Sequence, residues 1–111
     1  MVRGMAQPPQ LSPEQRQAAL AKAAEARRKR AELKERLKMG STNLRELLTL
    51  AESDDIIGKM KVVSVLESLP GVGKVTARKQ MEEIGISENR RLRGLGSQQR
   101  ESLLSAFGSA S

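Results

Sequence analysis

The stretch LPGVGKVTARKQMEEIG, residues 69–85, decides how the chain folds. Pro70 cannot continue the apolar helical segment before it, and Gly71 and Gly73 permit backbone conformations that most residues avoid. The stretch therefore predicts a tight reversal that is followed at once by a new helix. The first turn of that helix offers unpaired backbone N–H groups at the positive end of the helix dipole, beside Lys74. This pattern predicts a cradle for a phosphate.

A bare Pro-Gly-X-Gly turn is equally compatible with a purely structural reversal. Basic side chains on the first two turns of the following helix favour the phosphate site instead. The residues predicted to form it are Gly71, Val72, Gly73, Lys74, Arg78 and Lys79.

Composition limits both the core and the chemistry. The 111 residues include one aromatic residue, no cysteine and no histidine, so the core must be aliphatic. Disulfides, the usual zinc sites, cysteine nucleophiles and histidine acid-base catalysis are excluded, and no cofactor is expected. No apolar run has the length of a membrane span and no apolar signal core is present, so we expect a cytoplasmic protein.

The charge pattern points to a polyanionic partner. Lys and Arg number 20 against 13 Asp and Glu, which gives a net charge of +7. Residues 13–40 and 70–100 are basic, whereas residues 41–69 are mildly acidic. Release of counterions would drive such a chain onto phosphates regardless of base sequence, although a charged surface kept for solubility has the same composition.

The remaining segments predict an all-α fold. Residues 1–11 are predicted to be a flexible lead, and Ser12 caps a long basic helix that ends at Gly40. Its C-terminal half, with Leu33 and Leu37, should dock, while the N-terminal half projects. Residues 41–108 form a small domain of short helices, including one helical stretch from the Asp54 cap to Leu69 in which Gly58 can allow a kink. Residues 109–111 are predicted to be a tail.

Two arginine clusters extend the candidate interface. Arg90, Arg91 and Arg93 lie between apolar residues that should pin the backbone, so they can reach phosphates or a minor groove. On the long helix, Arg27 and Arg28 either pair with neighbouring acids or lie along a phosphate backbone. Substituting the three later arginines by Ala should weaken duplex binding and leave helical content unchanged.

Three segments in this order resemble a known family. They are IGKMKV at residues 57–62, LESLPGVGKV at 66–75 and RRLRGLG at 90–96. Residues 69–107 are similar to the helix-hairpin-helix and helix-two-turns-helix elements, and the whole resembles the actinobacterial integration host factor. The resemblance implies a nucleoid-associated protein that binds duplex DNA with little sequence preference, alters its topology or compaction, and assists phage integrase. It maps the phosphate-binding turn onto Gly71–Lys74 and places Arg27 and Arg28 near DNA.

Two other classes stay open at this point. A ribosomal or other structured-RNA-binding protein can use the same motif, although the lack of aromatic residues disfavours stacking on unpaired bases. A glycosylase or lyase would need a positioned acid-base pair in a base-sized pocket, whereas Asp54 and Asp55 are better explained as helix caps. We therefore expect a DNA-binding protein without catalytic residues, monomeric in solution.

Overall fold

The computed structural model describes residues 12–107, so the predicted lead and tail lie outside the described residues. Within this range the chain forms six α-helices, one 3₁₀ turn and a single isolated β-bridge. The helices are α1 (Pro13–Met39), α2 (Leu44–Ala51), α3 (Asp55–Gly58), α4 (Val62–Glu67), α5 (Lys74–Ile84) and α6 (Ser97–Phe107), and the 3₁₀ turn spans Leu92–Gly94. The all-α prediction is confirmed. None of the described helices combines the length and apolarity required to cross a membrane.

The long helix begins and ends where its local signals predict. The Ser12 hydroxyl accepts a hydrogen bond from the Gln15 amide at 3.1 Å, and the Gln15 side chain accepts one from the Ser12 amide at 2.9 Å. This capping box is joined by Pro13 at the first helical position, and Gly40 closes the helix with a φ of 79°. Leu33 and Leu37 are the only buried residues of α1. The C-terminal half therefore docks and the N-terminal half projects, as predicted.

The core is aliphatic and joins the docked half of α1 to all of the later helices. Phe107, the only aromatic residue, is 4% exposed and packs in this core. The other buried apolar residues are Leu33, Leu37, Leu44, Leu47, Leu48, Ala51, Ile57, Met60, Val62, Val65, Leu66, Leu69, Ala77, Met81, Ile86, Leu92 and Leu103. Burial of this apolar surface is the main stabilising term for so small a domain.

The helical stretch predicted from Asp54 to Leu69 is broken into two helices after Gly58, the residue at which a kink is predicted. The structure has two short helices, α3 and α4, joined by a turn at Lys59 and Met60 and by Lys61, whose backbone is extended. The reason is a tertiary pairing: the Val62 amide donates to the Arg90 carbonyl and the Leu92 amide donates to the Met60 carbonyl, each at 2.9 Å. These bonds place Lys61 opposite Arg91 in the antiparallel bridge.

The predicted helix-two-turns-helix arrangement is present. The α4 helix is followed by the Leu69–Gly73 hairpin and α5, and Gly71 takes a φ of 75°, in the left-handed region that favours glycine. A turn segment at residues 86–96 then leads to α6. Ile86 and Leu92 are buried and Leu95 packs against the core, so the predicted apolar pins hold this segment.

Candidate nucleic-acid interface

The hairpin presents a row of unused backbone donors. In the described part of the chain, the N–H groups of Gly73, Lys74, Val75 and Thr76 make no hydrogen bond. The first turns of α1, α2 and α3 differ, because Ser12, Asn43 and Asp54 cap them with side-chain oxygens. Gly73 has no side chain to fill that position. An anion at the start of α5 would therefore meet several donors and the positive end of the helix dipole.

The surface around these donors is open. A Cβ atom added at Gly71 or Gly73 would meet no atom within 4 Å, so a phosphate can approach the backbone closely. Lys74 and Lys79 are exposed beside them, and the Val75 side chain is 80% exposed. Arg78 is also exposed, with its Nε 3.8 Å from a Glu88 carboxylate oxygen. The structure thus brings the predicted basic residues of α5 to the same end of the molecule as the free donors.

Val72 differs from the other predicted residues of the hairpin. Its side chain is half-buried against the core, and its amide donates to the Leu69 carbonyl at 3.1 Å. This amide is therefore already used within the turn, unlike that of Gly73. Val72 instead anchors the hairpin so that Gly71 and Gly73 face outward.

Arg90 uses its guanidinium within the protein. Its Nη1 donates to the Gly94 carbonyl at 2.9 Å and to the Gln99 side-chain oxygen at 3.2 Å. The same Gln99 oxygen accepts the Gly96 amide, and the Gln99 nitrogen donates to the Gly85 carbonyl. Gln99 therefore ties the end of α5 to the turn before α6, a role that its position in the sequence does not signal.

Arg93 is also held by the protein, whereas Arg91 is not. The Arg93 Nη1 lies 3.0 Å from the Asp55 carboxylate, and its side-chain stem lies over Gly58. A Cβ at Gly58 would lie 3.3 Å from the Arg93 Cβ and 2.9 Å from the Ala51 carbonyl oxygen, so glycine makes this close approach possible. Arg91 is exposed, with no carboxylate of residues 12–107 within ion-pair distance.

The predicted pair on α1 lies on the outer part of the helix. Arg27 and Arg28 are both exposed, and Arg28 approaches Glu25 at 3.9 Å. The next residue, Lys29, binds the Asp54 carboxylate at 2.5 Å. Hydrogen bonding from Lys29, with help from the Ile56 and Ile57 amides and the Lys29 charge, lowers the pKa of Asp54 from its ordinary value of 3.8. Asp54 caps α3 as predicted, while Asp55 forms ion pairs instead of a cap.

Sequence reasoning missed a groove that is lined by basic side chains from separate parts of the chain, which we call the basic groove. It has a volume of about 380 Å³, and no acidic residue lines it. It is lined by Arg30, Lys34, Lys59, Met60, Lys61, Ser64 and Arg91. The i, i+4 spacing of Arg30 and Lys34 was a signal for one basic face of α1. The pairing of Lys61 with Arg91 had no such signal.

The fold and these surfaces define the class of protein. Residues 37–107 match the family described as the S13-like H2TH domain, so the chain is a helix-two-turns-helix protein of that class. It is 63% identical over 102 residues to the integration host factor of Mycobacterium tuberculosis, a match that covers 92% of this chain and 97% of that protein. It is 61% identical over 105 residues to the integration host factor of Streptomyces coelicolor, covering 95% and 97%. The chain belongs to this integration host factor family, as the sequence predicts.

A solved structure provides a further comparison. It is described as sIHF bound to an 8-base-pair palindromic DNA, and it is 58% identical in sequence with a TM-score of 0.77. The match covers 79% of this chain and 99% of that one. The two proteins are therefore similar in amino-acid sequence as well as in fold.

Proposed function

We propose that the chain binds duplex DNA through the phosphate backbone, with little dependence on base sequence, as a nucleoid-associated protein. The observation that carries the proposal is the uncapped start of α5, where four backbone N–H groups lie unused beside Lys74 and an open glycine surface. Membership of the integration host factor family and likeness to a DNA-bound structure support DNA as the source of the phosphate.

The interface has two kinds of residue in this proposal. Lys74, Lys79 and Arg91 are exposed and contact phosphates directly, together with the free donors of the hairpin. Arg90 and Arg93 shape the turn segment and hold Arg91 in place, because their guanidinium groups already bind protein oxygens. Arg27 and Arg28 add charge along α1, at the point where it leaves the core.

An architectural role fits the acidic residues better than a catalytic one. A cavity of about 390 Å³ is lined by Glu52, Asp54 and Asp55. Each of these carboxylates is engaged, since Glu52 binds Arg100 at 2.8 Å, Asp54 binds Lys29 and Asp55 binds Arg93. A general acid or base would need a carboxylate that is positioned toward a substrate proton. We therefore propose that the protein changes DNA topology or compaction and assists phage integrase without chemistry of its own.

The test is a fluorescence-anisotropy titration with a random-sequence duplex at several salt concentrations. Direct contacts by Lys74, Lys79 and Arg91 predict that a plot of log binding constant against log salt concentration has a negative slope with a magnitude of about 2.7 or more, at about 0.9 per phosphate. A second duplex of the same length and unrelated sequence should bind with a similar affinity, and structured RNA should compete poorly. Preferential displacement by RNA would overturn the proposal in favour of the RNA-binding alternative.

Assistance to integration needs its own assay. Relaxed plasmid with topoisomerase should acquire supercoils when the protein is added, and an integrase reaction at an attachment site should be stimulated. Duplex binding with no change in plasmid topology and no effect on integrase would leave the binding proposal standing and contradict the architectural one.

A further inference from the structure

Val75 is an apolar side chain at a position where packing does not require one. At 80%, its exposure is the highest among the large apolar side chains of residues 12–107. The buried face of α5 is formed by Ala77 and Met81, and the side chain of Val75 lies outside the core. A β-branched residue is also a weaker helix former than alanine. Neither burial nor helix formation therefore accounts for a valine here.

The Val75 side chain lies beside the unused donors of the hairpin. Val75 is the second residue of α5, and its own N–H group is one of the four that make no hydrogen bond in the described part of the chain. Because the Cα–Cβ bonds of a helix tilt toward its N-terminus, the two methyl groups lean toward the end at which a phosphate would be held. Arg78 and Lys79 follow three and four residues later, so they lie on the same side of the helix. Val75 thus forms an apolar spot within a basic surface.

The other exposed large apolar side chains of the described residues have a different setting. Leu20 and Met39 belong to α1 and Leu50 belongs to α2. Side-chain oxygens cap the first turns of both helices, so no unused row of donors lies at their starts. Within residues 12–107, Val75 is therefore the one exposed large apolar side chain at the start of an uncapped helix.

A phosphate of a nucleic acid brings its sugars to the protein with it. The phosphate is bonded through oxygen to C3′ of one sugar, and the adjoining C2′ atom is a methylene in DNA and carries a hydroxyl in RNA. An apolar side chain packs favourably against the methylene. A hydroxyl placed against the same side chain loses water without gaining a hydrogen-bond partner. An apolar contact at this sugar therefore favours DNA.

We propose that Val75 is a specificity-determining residue, whose methyl groups lie against the C2′ methylene of the sugar next to the phosphate held by the hairpin and so favour DNA over RNA. The inference rests on the proposed function, because it takes the hairpin as the place where a phosphate is held. The N–H groups and Lys74 alone cannot distinguish the two nucleic acids, since both carry the same phosphate. The contact of Val75 with the sugar supplies the distinction.

The test compares Val75→Thr with Leu50→Thr as the matched control on α2. Threonine has nearly the shape of valine, and its hydroxyl can pair with a 2′-hydroxyl. Anisotropy competition with DNA and RNA duplexes of the same sequence gives the ratio of their affinities. Val75→Thr should lower the preference for DNA by about fivefold or more, and Leu50→Thr should leave it unchanged. The thermal midpoint of Val75→Thr should equal that of the wild type, because Val75 lies outside the core. An unchanged preference in Val75→Thr would overturn the inference.

A modified RNA separates the sugar contact from the shape of the duplex. A 2′-fluoro RNA duplex keeps the A form of RNA and has no 2′-hydroxyl. The wild-type protein should bind it more tightly than unmodified RNA, and Val75→Thr should reduce this difference. Equal wild-type affinities for the two RNAs would contradict the role of Val75 and leave the proposed function intact. If the wild type binds no DNA duplex, or binds RNA more tightly, the proposed function fails and this inference fails with it.

Discussion

The hairpin and the turn segment that follows α5 are alike in charge and opposite in the use of that charge. The first carries Lys74, Arg78 and Lys79 within six residues, and the second carries Arg90, Arg91 and Arg93 within four. On the hairpin side the cations are exposed and the nearby backbone donors are unused. On the turn side, two of the three arginines donate to protein oxygens.

The difference follows from how each turn keeps its shape. Leu69 is buried and Val72 packs against the core, so apolar contacts and glycine geometry hold the hairpin and leave its polar groups free. The turn segment runs for a longer distance without an α-helix, and side-chain hydrogen bonds help to hold it. Arg90 donates to the Gly94 carbonyl and to the Gln99 side chain, and Arg93 donates to the Asp55 carboxylate, so two cations of this segment are structural whereas those of the hairpin remain exposed.

The largest expected effect is on the hairpin side, from Gly73→Asp. Gly73 has an extended backbone with φ −97° and ψ 179°, and a Cβ there would meet no atom within 4 Å, so aspartate fits without strain. Its carboxylate should cap α5 and occupy the donors offered to phosphate. We expect duplex affinity in the anisotropy assay to fall by about tenfold or more, because charge-assisted hydrogen bonds of ~1.5–3 kcal/mol are lost. Stability should rise by only a few tenths of a kcal/mol.

Gly73→Ser is the matched control. A serine hydroxyl also caps the helix, but it brings no negative charge, so its loss of affinity should be smaller than that of the aspartate variant. Wild-type affinity in the aspartate variant would remove the hairpin from the interface and leave the turn segment as the principal contact.

On the turn side, single substitutions should separate structural from exposed arginines. Arg90→Ala removes the donor from Gly94 and Gln99 and should lower the free energy of unfolding by about 1–2 kcal/mol, measured by chemical denaturation. Arg91→Ala should leave stability within about 0.5 kcal/mol and lower the magnitude of the salt slope by about 0.9. The triple alanine variant should therefore lose stability as well as affinity. Equal free energies of unfolding for Arg90→Ala and Arg91→Ala would contradict the assignment of Arg90 as a structural residue and Arg91 as an exposed one.

The sequence predicts those features that depend on neighbouring residues. The Ser12 cap, the Gly71 hairpin and the docking of Leu33 and Leu37 are local signals or simple periodicities, and the structure confirms them. Gly58 is a local signal for a kink after α3, but the separation of α3 from α4 depends on the pairing of Lys61 with Arg91, which no local signal predicts. Likewise, Arg93 meets Asp55 across 38 residues of sequence, so the arginine cluster alone does not reveal which member is bound.

A smaller effect is expected when Arg93 is released. Asp55 binds both Arg93 at 3.0 Å and Lys59 at 3.1 Å, and its side chain is 69% exposed. Asp55→Asn should free both cations and raise duplex affinity at low salt by about two- to fivefold, which corresponds to the ~0.5–1 kcal/mol of exposed ion pairs. The charge-conserving Asp55→Glu variant should change affinity less. Weaker binding by Asp55→Asn would instead show that Asp55 positions Arg93 for a contact with DNA.

The smallest expected effect is one that acid produces at the Asp54 cap of α3 and not at the hairpin. Hydrogen bonding from Lys29 lowers the pKa of Asp54 below 3.8, so the charged form stabilises the native state above that value. This contribution is lost as the pH falls below 3.8 and through the lowered pKa of the folded state. NMR amide signals of Ile56 and Ile57, which donate to Asp54, should shift in that range, while those of Lys74 and Val75 should not. Asp54→Asn should abolish the shift, and a midpoint at or above 3.8 would contradict the role of Lys29.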